Sequence, residues 1–159
     1  MLILRTFSKG YSLAGLRLGY LLGAPQQIAT ITEKTRDSYN IDGLSQLLGE
    51  AAIADQAYAQ ETWNKVRTAR AALLAGLSQL GFSAPPSQAN FLLCQVPHST
   101  AEQAKYLYES LRERGIFVRY FDTPRLANKL RISVGTQAQN QALVAALQAL
   151  LPTSESATP

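Results

Sequence analysis

One run, from Leu44 to about Leu80 and rich in Ala, Leu and Gln, constrains this chain more than any other stretch. Leu73, Leu74, Leu77 and Leu80 recur at three- and four-residue steps, which lays an apolar stripe along one helix face. The composition predicts helix, with a break near Ala54 to Ala57, and Gly81 stands where a left-handed residue closes a helix. A boundary between two parts of the chain is expected inside this helix or just past it, giving residues 1–65, 66–151 and a polar tail, 152–159.

Before the long run, Leu2-Ile-Leu reads as a buried strand that ends at Arg5-Thr6 and feeds a turn-forming loop, Ser8-Lys-Gly-Tyr-Ser12. Leu18 to Leu22 is a second strand stopped by Gly23, and Pro25 suits the first turn of a helix to about Lys34. After Pro85-Pro86 the pattern predicts strand over Asn90–Val96, helix from a Ser99 or Thr100 cap to Arg114, and strands over Ile116–Phe121 and Leu130–Val134. Gln137 to Leu151 is a last amphipathic helix. The second part is therefore a small α+β layer. The first, with two or three strands, is too small for a complete doubly wound sheet, and the sequence is expected to be a fragment.

At 159 residues and 47% hydrophobic the chain is too apolar for disorder. One cysteine, Cys94, allows no internal disulfide, which favours a reducing compartment. His98 is the only histidine, and with one cysteine it supplies no zinc or metalloprotease set. No apolar stretch reaches the roughly 18 residues of a membrane span, and no signal peptide is recognisable, so the cytoplasm is the expected address. The net charge of +4 is scattered rather than run together. Small anions fit the two loose groups, Arg5-Lys9-Arg17 and Arg119-Arg125-Lys129-Arg131, better than nucleic acid does.

Lys9 lies between a hydroxyl residue and a glycine, on a loop leaving an apolar strand. A lysine amine becomes nucleophilic when desolvation or a neighbouring cation lowers its pKa. Ser8 offers a hydroxyl and Arg17 a planar fork, a pair suited to a phosphate dianion, and Gly10, Gly15 and Gly19 permit close backbone approach. An aldehyde cofactor with a phosphate handle would use all of these groups. On composition alone, an ordinary exposed turn and a surface cation account for them too.

The spacing over Thr6–Tyr20, Thr-Phe-Ser-Lys-Gly-Tyr-Ser-Leu-Ala-Gly-Leu-Arg-Leu-Gly-Tyr, closely resembles the pyridoxal-phosphate lysine motif of fold-type I aminotransferases. Within that group it looks most like the histidinol-phosphate aminotransferases. Pro86–Phe91, Gly115–Phe121 and Leu130–Thr136 are similar to small-domain motifs of the family. Arg36-Asp-Ser-Tyr-Asn40 followed by Leu44-Ser-Gln46 is similar to its Pro-Tyr-Asn segment, with Ser38 in place of the common proline. The resemblance covers nearly everything from Leu2 to Leu151.

What the resemblance implies is an α/β fold: the C-terminal part of a fold-type I transferase, with a remnant of the large-domain sheet, a long connecting helix and a small α+β domain. It implies pyridoxal 5'-phosphate as cofactor, Lys9 as its Schiff-base lysine and carrier of the α-proton, and Ser8 and Arg17 as holders of its phosphate. Arg131 and Arg119 would bind the substrate's anionic groups. The partners implied are a phosphorylated amine and a 2-oxo acid, and a second copy in a homodimer, with no nucleic acid and no membrane. The aspartate, stacking aromatic and glycine-rich loop of such enzymes precede the lysine and are absent here, so the isolated chain is expected to be inactive. Related readings are another class I/II aminotransferase or a threonine-phosphate decarboxylase; a different one is a non-catalytic basic binding domain.

Less specific residues carry two readings each. Tyr11 and Tyr20 suit core packing better than the cofactor. Asn90 faces either a site or the backbone. His98 suits an exposed cap region, Cys94 a buried strand, and Trp63 an anchor for the long helix or a subunit contact.

Overall fold

A computed structural model describes residues 1–35 and 39–151. It divides into two compact units, Met1–Trp63 and from Asn64 onward. The polar tail, residues 152–159, lies outside the described residues.

In the first unit, β1 (Ile3–Thr6) and β2 (Gly19–Leu22) form an antiparallel pair with Thr6 opposite Gly19. Phe7 N–H continues the pairing to the Leu18 carbonyl at 3.1 Å, which closes the base of the loop between them. A short 3-10 helix, Ala14–Leu16, sits at the far end of that loop. Helix α1 (Pro25–Lys34) begins with proline at its first position, where no N–H partner is needed. Helix α2 (Gly43–Ala54) is capped by Asp42, which accepts from Ser45 N–H. A side chain at Gly49 would run into Leu18, so this glycine lets α2 close on the loop base beside Phe7.

β1 corrects one expectation. It is exposed along its whole length, not buried, because within its unit it pairs only with β2 and no apolar layer covers it. Burial is concentrated instead at Phe7, Leu18 and Ala59.

α3 (Gln56–Gln79) follows the expected break, which falls at Asp55, and runs on into the second unit. Gly81 closes α3 at φ +83°, with Phe82 N–H bonding to the Leu77 carbonyl at 3.1 Å. The second unit holds a three-stranded antiparallel sheet in the order β3 (Phe91–Gln95), β5 (Lys129–Ser133), β4 (Arg119–Tyr120). Strand alternation sends Leu92, Cys94, Leu130 and Ile132 to one face. They meet Leu73 and Leu77 of α3, Leu107 and Leu111 of α4 (Ala101–Glu113), and Leu143 and Leu147 of α5 (Gln137–Leu150) in one core. Thr100 caps α4, and Thr136 with Gln139 forms a reciprocal capping box on α5.

β4 is shorter than expected. The chain leaves α4 through Gly115 at φ +74°, and Ile116 N–H is taken by the Leu111 carbonyl, so the first residues of the expected strand close the helix instead of joining the sheet.

Candidate functional site

Phe7 and Leu18 fix the base of the loop, so Ser8 and Arg17 leave it from opposite sides. Phe7 also accepts from Leu13 N–H at 3.1 Å, which folds the loop back on itself. Ser8 N–H donates to Thr6 Oγ1 at 3.1 Å, and Thr6 Oγ1 donates to Ser8 Oγ at 2.9 Å. The Ser8 oxygen is thus an acceptor inside the loop and keeps its own proton for an outside acceptor.

Arg17 adopts a left-handed backbone, φ 52° and ψ 34°, as the residue that ends the 3-10 helix. For a residue with a Cβ this conformation is uncommon and gathers at functional positions. Its Nη1 donates to the Ala14 carbonyl at 2.9 Å, which anchors one end of the guanidinium and leaves its other donors toward solvent. Lys9 is exposed, and its carbonyl accepts from Ser12 N–H at 3.3 Å, so the lysine sits at a turn. At Gly19 a Cβ would stand 2.7 Å from the Arg5 carbonyl, so only glycine permits the strand approach below the loop.

Behind the loop, aromatic rings stiffen it. Phe7 meets Tyr11 at 5.1 Å and Tyr20 at 5.7 Å between centroids, so both tyrosines pack as structural partners. A cleft of about 290 Å³ in this unit is lined by Tyr11, Leu13, Leu48, Asp55 and Tyr58 and does not take in Ser8, Lys9 or Arg17.

In the second unit, Arg119 and Arg131 face each other across β4 and β5, both exposed on the face opposite the core. Asn90 is exposed, and its carbonyl accepts from Val134 N–H. His98 is exposed before α4, where its N–H bonds to Gln103 Oε1 at 3.0 Å. Cys94 is fully buried, and desolvation pushes its thiol up to about 12. Arg36, Asp37 and Ser38 of the asparagine-containing segment lie outside the described residues. Among the described residues, no helix is long and apolar enough to cross a membrane.

Sequence reasoning missed one local signal and one that depends on strand register. Thr6 supplies both hydrogen bonds that set Ser8, and its hydroxyl two residues before a serine was the available clue. The rings of Phe91 and Phe121, which lie beside the second-unit arginines, carry no signal until strand register is known.

A family model, aminotransferase class I and II, matches residues 1–147. Histidinol-phosphate aminotransferase 1 of Nostoc sp. is 51% identical over 151 residues, 95% of this chain and 42% of the relative. Histidinol-phosphate aminotransferase of Microcystis aeruginosa is 43% identical over 97% of this chain and 43% of its own length. Among solved structures, histidinol-phosphate aminotransferase from Sinorhizobium meliloti, in complex with pyridoxal-5'-phosphate, aligns with a TM-score of 0.81 at 30% identity, over 94% of this chain and 42% of that one. The chain spans well under half the length of the relatives it matches.

Proposed function

The chain belongs to the class I and II aminotransferases, with the fold of part of a fold-type I enzyme, and on that premise we propose that it is the C-terminal portion of a histidinol-phosphate aminotransferase. The single observation that carries this reading is the loop from Ser8 to Arg17, closed at its base by Phe7 and Leu18, which carries the amine, the hydroxyl and the guanidinium. The donor set fits pyridoxal phosphate: an amine for its aldehyde, with a neutral and a charged donor for its phosphate. Bound there, the cofactor would supply an electron sink for the substrate's α-carbon.

The chain's own residues would do the rest. Lys9 Nζ would hold the cofactor and afterwards carry the α-proton as base and acid. Ser8 Oγ–H and the free donors of Arg17 would fix the phosphate, while Thr6 keeps Ser8 oriented. Arg131 and Arg119 would bind the anionic groups of L-histidinol phosphate and of the acceptor, 2-oxoglutarate. In this reading residues 1–65 are a remnant of the large domain, 66–151 are the small domain and 152–159 a tail. The complete protein is a cytoplasmic homodimer. The isolated chain is inactive, because it carries neither the pyridine-nitrogen aspartate nor the stacking aromatic, and because Lys9 is exposed.

Two proteins test this: the 159-residue chain, and the same chain joined to the N-terminal portion of a histidinol-phosphate aminotransferase. The joined protein should convert L-histidinol phosphate with 2-oxoglutarate, and the chain alone should not. Turnover by the isolated chain at the joined protein's rate overturns the fragment reading. Turnover of threonine phosphate in place of histidinol phosphate overturns the substrate.

A further inference from the structure

Arg119 and Arg131 are direct cross-strand partners, an arrangement in which like charges repel. The sheet nevertheless keeps both guanidiniums in place by ring contacts. The Arg131 guanidinium carbon lies 5.4 Å from the Phe91 ring centre and 5.6 Å from that of Phe121. The Arg119 guanidinium carbon lies 5.3 Å from the same Phe121 ring. Phe121 is thus shared by two cations, and Phe91 gives Arg131 a second ring. Lys129, on the same strand as Arg131, instead donates its ammonium hydrogens to oxygens, the Arg125 carbonyl and Asn128 Oδ1, both at 2.9 Å. Among the described residues the two arginines have no such oxygen partner.

A ring contact holds a guanidinium without using its donors, because the N–H groups lie in the guanidinium plane and the ring takes its face. The result is two adjacent guanidiniums beside aromatic rings, whose N–H donors have no oxygen partner among the described residues. We propose that Phe91 and Phe121 are positioning residues that hold Arg131 and Arg119 for a doubly charged phosphate-ester group. This rests on the proposed function for the two arginines being the groups that bind the substrate's anion, and adds to it the part played by the two rings.

The test uses inorganic phosphate as probe and the 159-residue chain, followed through the arginine Nε–H resonances. Phosphate should move the signals of Arg131 and Arg119, and sodium chloride at equal ionic strength should not. Phe121→Leu should weaken phosphate binding roughly three- to tenfold, while Phe121→Tyr, which keeps a ring, should stay within about twofold of the parent. Equal weakening in the leucine and tyrosine variants shows that bulk matters rather than the ring, and overturns the proposal. So does a parent whose arginine signals ignore phosphate. A readout without substitution guards against misfolding: the Arg131 side-chain protons should be shifted upfield by the two rings, and unshifted protons overturn the proposal. None of these measurements involves pyridoxal phosphate, so a chain that binds phosphate here while the joined protein fails to convert L-histidinol phosphate refutes the proposed function alone.

Discussion

The Trp63 indole N–H donates a hydrogen bond of 2.6 Å to the Gly10 carbonyl, joining α3 to the residue that follows Lys9. The same indole meets Tyr11 edge-on, with centroids 5.6 Å apart. The loop is therefore held by a residue 53 positions away in sequence. Trp63→Phe keeps most of the ring and removes the donor, leaving the Gly10 carbonyl unpaired. A loss of about 1–2 kcal/mol is expected, read by urea denaturation, with faster amide exchange at Gly10 and Tyr11. Unchanged exchange would show that the loop is set by its own short-range bonds.

For the complete protein, Lys9→Ala should abolish the visible absorbance of lysine-bound cofactor and cut turnover by roughly 10²- to 10⁴-fold or more. If Arg17 holds the cofactor's phosphate as proposed, Arg17→Ala should weaken cofactor affinity roughly ten- to a hundredfold without erasing that absorbance at saturation. An alanine at Lys9 that leaves the band intact would reassign the nucleophile.

Asp42 gives a pH signature. Its carboxylate accepts from Ser45 N–H at 2.8 Å and Ser45 Oγ–H at 2.7 Å, and these bonds hold it below the ordinary value of 3.8. A carboxyl depressed on folding stabilises the fold above its unfolded value and loses that effect as pH falls through the lower folded one. Asp42→Ala should thus lower the thermal midpoint at pH 7, and the difference from the parent should shrink below about pH 3.8. A difference independent of pH would assign the effect to packing.

Cys94 reports from the opposite end of the scale. Burial raises the thiol from 9.0 to about 12, so its contribution is complete below pH 9.0 and declines as pH climbs toward 12. The parent should lose stability relative to Cys94→Ala across that interval. A thiol reagent at pH 8 should label the chain only after denaturation, and prompt labelling of the native form would show that β3 opens readily.

Leu77, fully buried between α3 and the sheet, tests the second unit's core. Leu77→Ala should cost about 2–5 kcal/mol, depending on how far the neighbours relax, as measured by chemical denaturation. A cost under about 1 kcal/mol would mean that this core is loosely packed.

Short-range chemistry made much of this legible in sequence. Pro25, Gly81, Gly115 and Thr100 mark helix ends because each satisfies or vacates backbone groups within a few residues. The Leu73-Leu77-Leu80 stripe marked a buried helix face for the same local reason. Lys9, Ser8 and Arg17 could be picked out by spacing along one loop. What sequence did not reveal depends on partners distant in the chain. The exposure of β1 follows from which strand it pairs with, and the contacts of Arg131 with the rings of Phe91 and Phe121 follow from register across three strands.

The alternation of β5 has a consequence for folding fidelity. Leu130 and Ile132 point to the dry side and Arg131 to the wet one, so pairing the strand one residue out of step would drive a guanidinium inward and push two branched side chains out. The charges that would serve a ligand therefore also proofread the sheet, making the nearest wrong pairing the least tolerable one.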